Sequence, residues 1–175
     1  VINFELETTK VVGRLGNGSS YKFSTFNNTV LDPMIRVRVG DTANVTMKNS
    51  IDSAHIHLVD FHAANGPGGG AAATQAAPCQ SKSFSFKALT PGLYDYHCAT
   101  PMVAQHITNG MYGMLLVEPE GGLDPVDKEF YVMQGELYTA QRHVSSGLQE
   151  CLLDKMLDEN PDHMMFNGST VQWTH

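Results

Sequence analysis

The sequence has no basic run, no long apolar run and few cysteines, and each lack removes a class of function. Eleven lysines and arginines stand against eighteen aspartates and glutamates, a net charge of −7. Such a chain cannot neutralise a phosphate backbone, so nucleic acid is excluded as a partner. No stretch approaches the roughly 18 apolar residues of a spanning helix, so no membrane span is expected. No leader precedes the first strand, which is the expectation for a mature or trimmed start at Val1. The glycine-rich stretch GPGGGAAATQAAP, residues 66–78, lacks the lysine of a phosphate-binding loop. No helix is expected after it, and it reads as a flexible surface loop. Three cysteines are an odd number, so at least one is free, bonded to another chain or bound to a metal. Cys79 and Cys151 could pair with each other if Cys98 is taken by a metal, provided that they are close enough. Asn-x-Ser/Thr triplets at Asn17, Asn27, Asn44 and Asn167 matter only in a glycosylating host.

What the chain has is histidine, eight of them beside a single tryptophan in 175 residues. That length suits one sizeable domain plus an appendage. FELETTKVV, YKFSTF, MIRVRVG, NVTMKN, AHIHLVDFHA, KSFSFKAL, GLYDYHCA, MYGMLLVEP and KEFYVMQGELYT are short, alternating, and rich in β-branched or aromatic residues. Turn signals such as LGNGSS, VGDT, TPG and EGGLDP separate them, so an all-β sandwich or barrel is expected. After Thr139 the period changes. Leu148, Leu152, Leu153, Met156 and Leu157 fall at helical spacing with Pro161 beyond them, which predicts a short helix. HMMFNGSTVQW then reads as the first strand of something further. The boundaries follow as one domain over 1–140 and a linker helix with the start of a second domain over 141–175.

Strand parity sorts the candidate ligands. Alternate residues of a strand point to opposite faces. In HIHLVDFHA, His55 and His57 therefore share one face, and Asp60 and His62 the other. In YHCA, His97 and Cys98 also point apart. If His57 and Cys98 face inward, then Asp60, His62 and His97 face outward. His106 and Met111, just downstream of Cys98, complete the inward group. Two histidines, a cysteine and a weak axial methionine are the ligands of an electron-transfer copper centre. The spacing C-x7-H-x4-M after an upstream histidine is a specific signal. The outward group holds a carboxylate and two imidazoles, and the two imidazoles alone fall one ligand short of the three usual in a catalytic metal site. Asp60 suits a supporting or proton-transfer role there. His97 is bonded through the backbone to Cys98, which gives an electron a short path between the two groups.

At this point the chain resembles the first cupredoxin domain of the copper-containing nitrite reductases, from about Phe4 to Thr139, continuing through the interdomain helix to about MMFNGS. The motifs are DPMIRVRVGDT, HLVDFHAANGPGGGAAAT, FSFKALTPGLYDYHCAT, HITNGMYGMLLVEP and DKEFYVMQGELYT. The resemblance implies a Greek-key cupredoxin β-sandwich with a short C-terminal helix. It implies that His57, Cys98, His106 and Met111 hold type 1 copper, and that His62 and His97 supply two of three type 2 copper ligands. Asp60 matches the aspartate that hydrogen-bonds bound water or nitrite and delivers protons. The implied reaction reduces nitrite to nitric oxide with one electron and two protons, the electron passing from type 1 to type 2 copper through Cys98 and His97. It further implies a homotrimer, a small electron-donor protein (a cupredoxin or a cytochrome c), and a periplasmic or exported, surface-anchored location.

Departures from the family pattern are visible. In the family the third type 2 histidine comes from the second cupredoxin domain, contributed by a neighbouring subunit, and that domain is not in this sequence. His143, His163 and His175 lie outside the matching motifs and are not promoted to ligands. Cys79 stands where glycine usually follows proline, and Gln105 where an aromatic residue or methionine usually precedes the ligand. His55 reads as a partly exposed neighbour of His57. Three other readings compete. A trinuclear multicopper oxidase needs several His-x-His pairs, and HIH is the only one present. A pure blue-copper electron carrier does not need Asp60, His62 and His97 together. An inactive fragment of a nitrite reductase, holding only the type 1 site, keeps the family while losing the activity.

Overall fold

Alternation drives the architecture. In Ile35–Arg38 the two apolar residues are buried and the two arginines exposed, and in Thr42–Lys48 Ala43, Val45 and Met47 point inward. The computed structural model describes residues 1–16, 18–140 and 147–170. Among them run β1 (Ile2–Arg14), β2 (Ser19–Phe26), β3 (Ile35–Arg38), β4 (Thr42–Lys48), β5 (Val59–Phe61), β6 (Ser81–Lys87), β7 (Gly92–Cys98), β8 (Tyr112–Glu118), β9 (Gln134–Leu137), β10 (Gly147–Gln149) and β11 (His163–Phe166). Three short α-helices and one 3-10 turn (Pro67–Gly70) join them: α1 (Ala71–Thr74), α2 (Val103–Thr108) and α3 (Leu153–Leu157).

The strands form sheets in the orders β10-β2-β1-β4-β6 and β3-β8-β7-β5, with β11 and β9 as a separate pair. Ile2–Glu7 of β1 pair in parallel with β4, and its second half, Thr8–Arg14, pairs antiparallel with β2. The main core lies between the two large sheets, with Leu6, Val45 and Met47 from one and Val37, Tyr96, Leu115 and Val117 from the other. Phe61 sits at its centre, stacked on Tyr96 at 5.3 Å and 5.8 Å from Phe86. A second cluster of Leu15, Tyr21, Phe23, Leu137 and Met165 ties the C-terminal strands to the body. The expected all-β sandwich with a short C-terminal helix is therefore present.

Several segments differ from their sequence reading. The helix is confined to Leu153–Leu157. Leu148 instead lies in β10, and Leu152 has an extended backbone, because Gly147–Gln149 pair in parallel with Ser19–Tyr21. Three ladder residues outweigh a modest helical preference. KEFYVM is not a strand. Its backbone is held by Asn167, whose Oδ1 accepts from the Met133 N–H at 2.9 Å and whose Nδ2 donates to the Tyr131 carbonyl at 2.7 Å. A side-chain amide stands in for a strand neighbour. The same bonds occupy that sequon's nitrogen, while Asn27 Nδ2 donates to the Glu5 carbonyl and Asn44 Nδ2 to Asn3. Asn17, His143 and His175 lie outside the described residues. His163 lies on β11, and the three cysteines are free.

The glycine-rich stretch departs most. Its second half coils into the short helix α1, and Gly68, Gly69 and Gly70 run successively at φ 63, 47 and 94. A Cβ on Gly69 would lie 2.1 Å from Asp60 Oδ1 and 2.5 Å from the Phe61 carbonyl. The stretch is thus packed onto β5 rather than loose on the surface. Thr74 fastens it, accepting from the Val59 N–H at 3.0 Å while its hydroxyl reaches the Gly70 carbonyl at 3.0 Å. Gly69→Ala is expected to destabilise the protein by roughly 2–5 kcal/mol, from a left-handed penalty plus overpacking against β5. Denaturant unfolding of the purified variant measures it.

Candidate metal centres

The first centre forms where three chain segments converge on the end of β7. The Cys98 N–H donates to the Met111 carbonyl at 3.1 Å, and the Ala99 N–H to the Leu58 carbonyl at 3.0 Å. His57 is fixed from both sides by backbone bonds with Ala76, N–H to carbonyl at 3.1 Å and the reverse at 2.9 Å. His106 rides on α2, and the Met111 N–H closes that turn on the His106 carbonyl at 3.2 Å. The result brings His57, Cys98 and His106 together, with one ligand atom from each all within 4.8 Å of one another. His57 Nδ1 is 3.4 Å from Cys98 Sγ. A zinc-sized ion holding nitrogen at about 2.0–2.1 Å and sulfur at about 2.3 Å would space them about that far apart. Met111 is fully buried and borders the same cleft as His57.

Electrostatics favour metal over proton here. Burial pushes the His57 pKa down to about 4, helped by repulsion from His106, His55 and Lys10. Burial and His55 lower His106 as well. Both rings are therefore neutral near pH 7, with lone pairs available. The Cys98 thiol is pushed up by burial, against a lowering contribution from Thr100. A bound cation offsets that burial cost by taking the thiolate. The depressed His57 pKa also sets the metal-free protein's pH response. The unfolded chain binds a proton near pH 6.5 that the folded chain refuses until about pH 4. Stability is therefore complete above about pH 6.5 and falls as pH drops through that window, by on the order of 3 kcal/mol for this group. Denaturant midpoints of metal-stripped protein between pH 7 and 4 check the sign.

The second centre lies on the opposite face of the same strand. β5 and β7 pair Val59 with Cys98 and Asp60 with His97. Residues directly opposite in a ladder share a face, so Cys98 looks into the core with Val59 while His97 looks out with Asp60. The His62 N–H bonds the Asp95 carbonyl at 3.0 Å, which continues the pairing and brings its ring round. His62 Nε2 lies 3.0 Å from His97 Nε2, and Asp60 joins both within 4.8 Å. His97 Nδ1–H donates to the Cys98 carbonyl at 3.0 Å. That bond fixes the tautomer and leaves Nε2 as the free ligand atom. Five titratable candidates thus fall into the two groups parity sorted, with His106 added from α2.

Comparison with known proteins places the chain. The sequence profile of the family described as "Multicopper oxidase" matches residues 8–122. The chain belongs to the multicopper oxidase family. Within that family it is similar to the copper-containing nitrite reductases of Neisseria meningitidis serogroup A and Neisseria gonorrhoeae, 50% identical to each over 95% of this chain. It spans only 43% of the length of either. The structure resembles a copper nitrite reductase from Nitrosomonas europaea, with a TM-score of 0.80 and 29% identity over 96% of this chain and 56% of that one. Membership in this family supports copper as the metal, and the donors fit it, since a thiolate, imidazoles and a thioether suit a soft or borderline ion. The family description is broader than the trinuclear oxidase reading, against which the single HIH pair still stands.

Supporting residues were missed in the sequence. Thr100, buried two residues after Cys98, accepts from the thiol at 3.2 Å and donates to the Ile56 carbonyl at 3.1 Å. Asn49 is buried at the end of β4, accepts from the Thr8 hydroxyl at 2.8 Å, and donates to the carbonyls of His55 and Ala76. It holds together the two segments that frame His57. Only the parity of Thr100 with Cys98 could have flagged either. Cys79 has φ 67, in the left-handed region that favours glycine.

Proposed function

We propose that this chain carries the copper-dependent reduction of nitrite to nitric oxide, as part of a periplasmic or exported denitrification enzyme. The observation that carries the reading is the back-to-back placement of two clusters on adjacent residues of β7, Cys98 and His97. In this reading His57, Cys98, His106 and Met111 hold type 1 copper, and His62 and His97 hold type 2 copper with a third ligand from elsewhere. Bound copper would supply a one-electron couple in the first cluster and a Lewis-acidic anchor for a nitrite oxygen in the second. Cys98 and His97 are joined by a single peptide unit, the shortest covalent path between the clusters. Asp60, beside both outer imidazoles, gives and regains a proton as nitrite takes up one electron and two protons and releases water. Gly69 and Thr74 keep its strand in place.

Residues 1–140 form the copper domain in this proposal, and 141–175 lead into further structure that completes the outer site. The outer face of β7 and β8 supports assembly there. Leu93, Met114 and Leu116 share the side of the sheet that bears Asp60 and His97. Leu93 and the neighbouring Phe130 are strongly exposed. A homotrimer that buries this face would bring a third histidine to His62 and His97. A small cupredoxin or cytochrome c would deliver electrons.

One observation favours a second reading. Among the described residues the outer cluster offers two imidazoles beside the carboxylate assigned to proton transfer, and in this reading the chain alone holds only the type 1 ion and acts as a carrier. Copper analysis with anaerobic nitrite titration separates the two. The assembled enzyme is expected to hold two coppers per chain and to lose its reduced state on adding nitrite, with nitric oxide formed. One copper per chain and no reoxidation by nitrite in the assembled protein would overturn the enzymatic reading.

A further inference from the structure

Copper must reach a site whose own ligands are closed off. Cys98 and Met111 are wholly inaccessible and His57 nearly so, while His106 is half-buried. His106 is therefore the most exposed of the four ligands. Outside His106 lies a cavity of about 300 Å³ whose wall includes His55, His57, Met102, Gln105 and His106.

Two residues of that wall have no part in the resident site. His55 presents its ring edge-on, with centroids 6.4 Å from His106 and 6.5 Å from His57. The His57 and His106 rings, in the inner cluster, are 5.4 Å apart. The His55 carbonyl is pinned by Asn49 Nδ2 at 2.8 Å and Ser53 Oγ at 3.0 Å. Its ring nitrogens have no hydrogen-bond partner among the described residues. Met102 is more than half exposed and holds the left-handed conformation at φ 67, unusual for a residue with a side chain. Its carbonyl accepts from the Gln105 N–H at 2.9 Å and the His106 N–H at 3.3 Å, so the strained turn is tied to the helix that carries His106.

We infer that His55 and Met102, together with His106, form a transient acceptor site for monovalent copper, from which the ion passes inward to His57, Cys98 and Met111. The inference rests on the copper reading above. Two imidazoles and a thioether are soft enough to prefer monovalent copper over hard divalent ions. The transfer is ligand exchange with no change of oxidation state. Copper's bonds to His55 and Met102 break, bonds to His57, Cys98 Sγ and the Met111 thioether form, the bond to His106 is kept, and the thiol proton leaves to solvent.

The test uses the full chain stripped of metal by chelation, with monovalent copper as the probe under anaerobic conditions. Uptake is followed by the ultraviolet absorption of the copper–thiolate bond, and the end state by the visible band after oxidation. The double variant His55→Ala/Met102→Leu is expected to take up copper at least tenfold more slowly, yet to reach the wild-type visible spectrum. Circular dichroism and the normal end spectrum together show that it is folded. Equal uptake rates in variant and wild type would overturn the inference while leaving the copper site in place. An altered end spectrum would also overturn it, because His55 or Met102 would then belong to the resident site. If no visible band forms in the wild type, the copper reading itself fails, which is a distinct result.

Discussion

Cys98→Ser is expected to yield a folded protein that binds no coloured copper. The visible absorption of such a centre arises from copper–thiolate bonding, and a hydroxyl is neither soft enough nor acidic enough to replace it. Cys98 lies wholly in the core between β7 and the Met111 turn, and its backbone bond to Met111 does not involve sulfur. The isosteric change therefore spares the ladder and the neighbouring Thr100. The expected effect is complete loss of the visible band in copper-reconstituted protein, with an unchanged far-ultraviolet circular dichroism spectrum. A coloured Cys98→Ser protein would sink the assignment of His57, His106 and Met111 as well, because all three are argued from their convergence on this sulfur.

The second large effect belongs to the outer face. Asp60→Asn keeps the size of the side chain and its place opposite His97 on β5, but an amide cannot cycle a proton near neutral pH. Proton transfer by a positioned group contributes about 10²–10⁴-fold, so on the proposed nitrite-reducing role turnover by the assembled protein should fall by that factor. The visible spectrum should not move, since Asp60 and Cys98 point to opposite sides of the sheet. His62→Ala, in parallel, should remove one copper equivalent and leave the colour. Steady-state nitrite reduction and copper analysis on the same preparations read all of this. Turnover of Asp60→Asn at the wild-type rate would remove Asp60 from the mechanism.

Much of this was legible in the sequence because a strand obeys a period of two. The parity of HIHLVDFHA set His57 against Asp60 and His62, and that of YHCA set Cys98 against His97; taking His57 and Cys98 as inward then put the other three outward. The spacing from Cys98 to His106 and Met111 named the other two inward candidates. Alternation over IRVR and TANVTMK gave the sandwich for the same reason. Local chemistry repeated at a fixed interval needs no long-range information.

What the tertiary structure alone decided involves residues far apart in sequence. Asn167 replaced a strand partner for Tyr131 and Met133, and a parallel pairing with β2 drew Leu148 out of the expected helix. Neither can be read locally, because the competing hydrogen bonds come from the other end of the chain. The glycine-rich stretch looked like a free loop because composition cannot show that its backbone lies against Asp60. His55 read as a bystander until its ring, the exposed Met102 and His106 were found around one cavity. The sequence by itself determined which side chains could serve a metal and which of them, within one segment, take opposite faces. Only the folding of β5, β7 and α2 onto one another decided that their ligand atoms meet within bonding reach, because a distance between strands is set by the packing of the core beneath them.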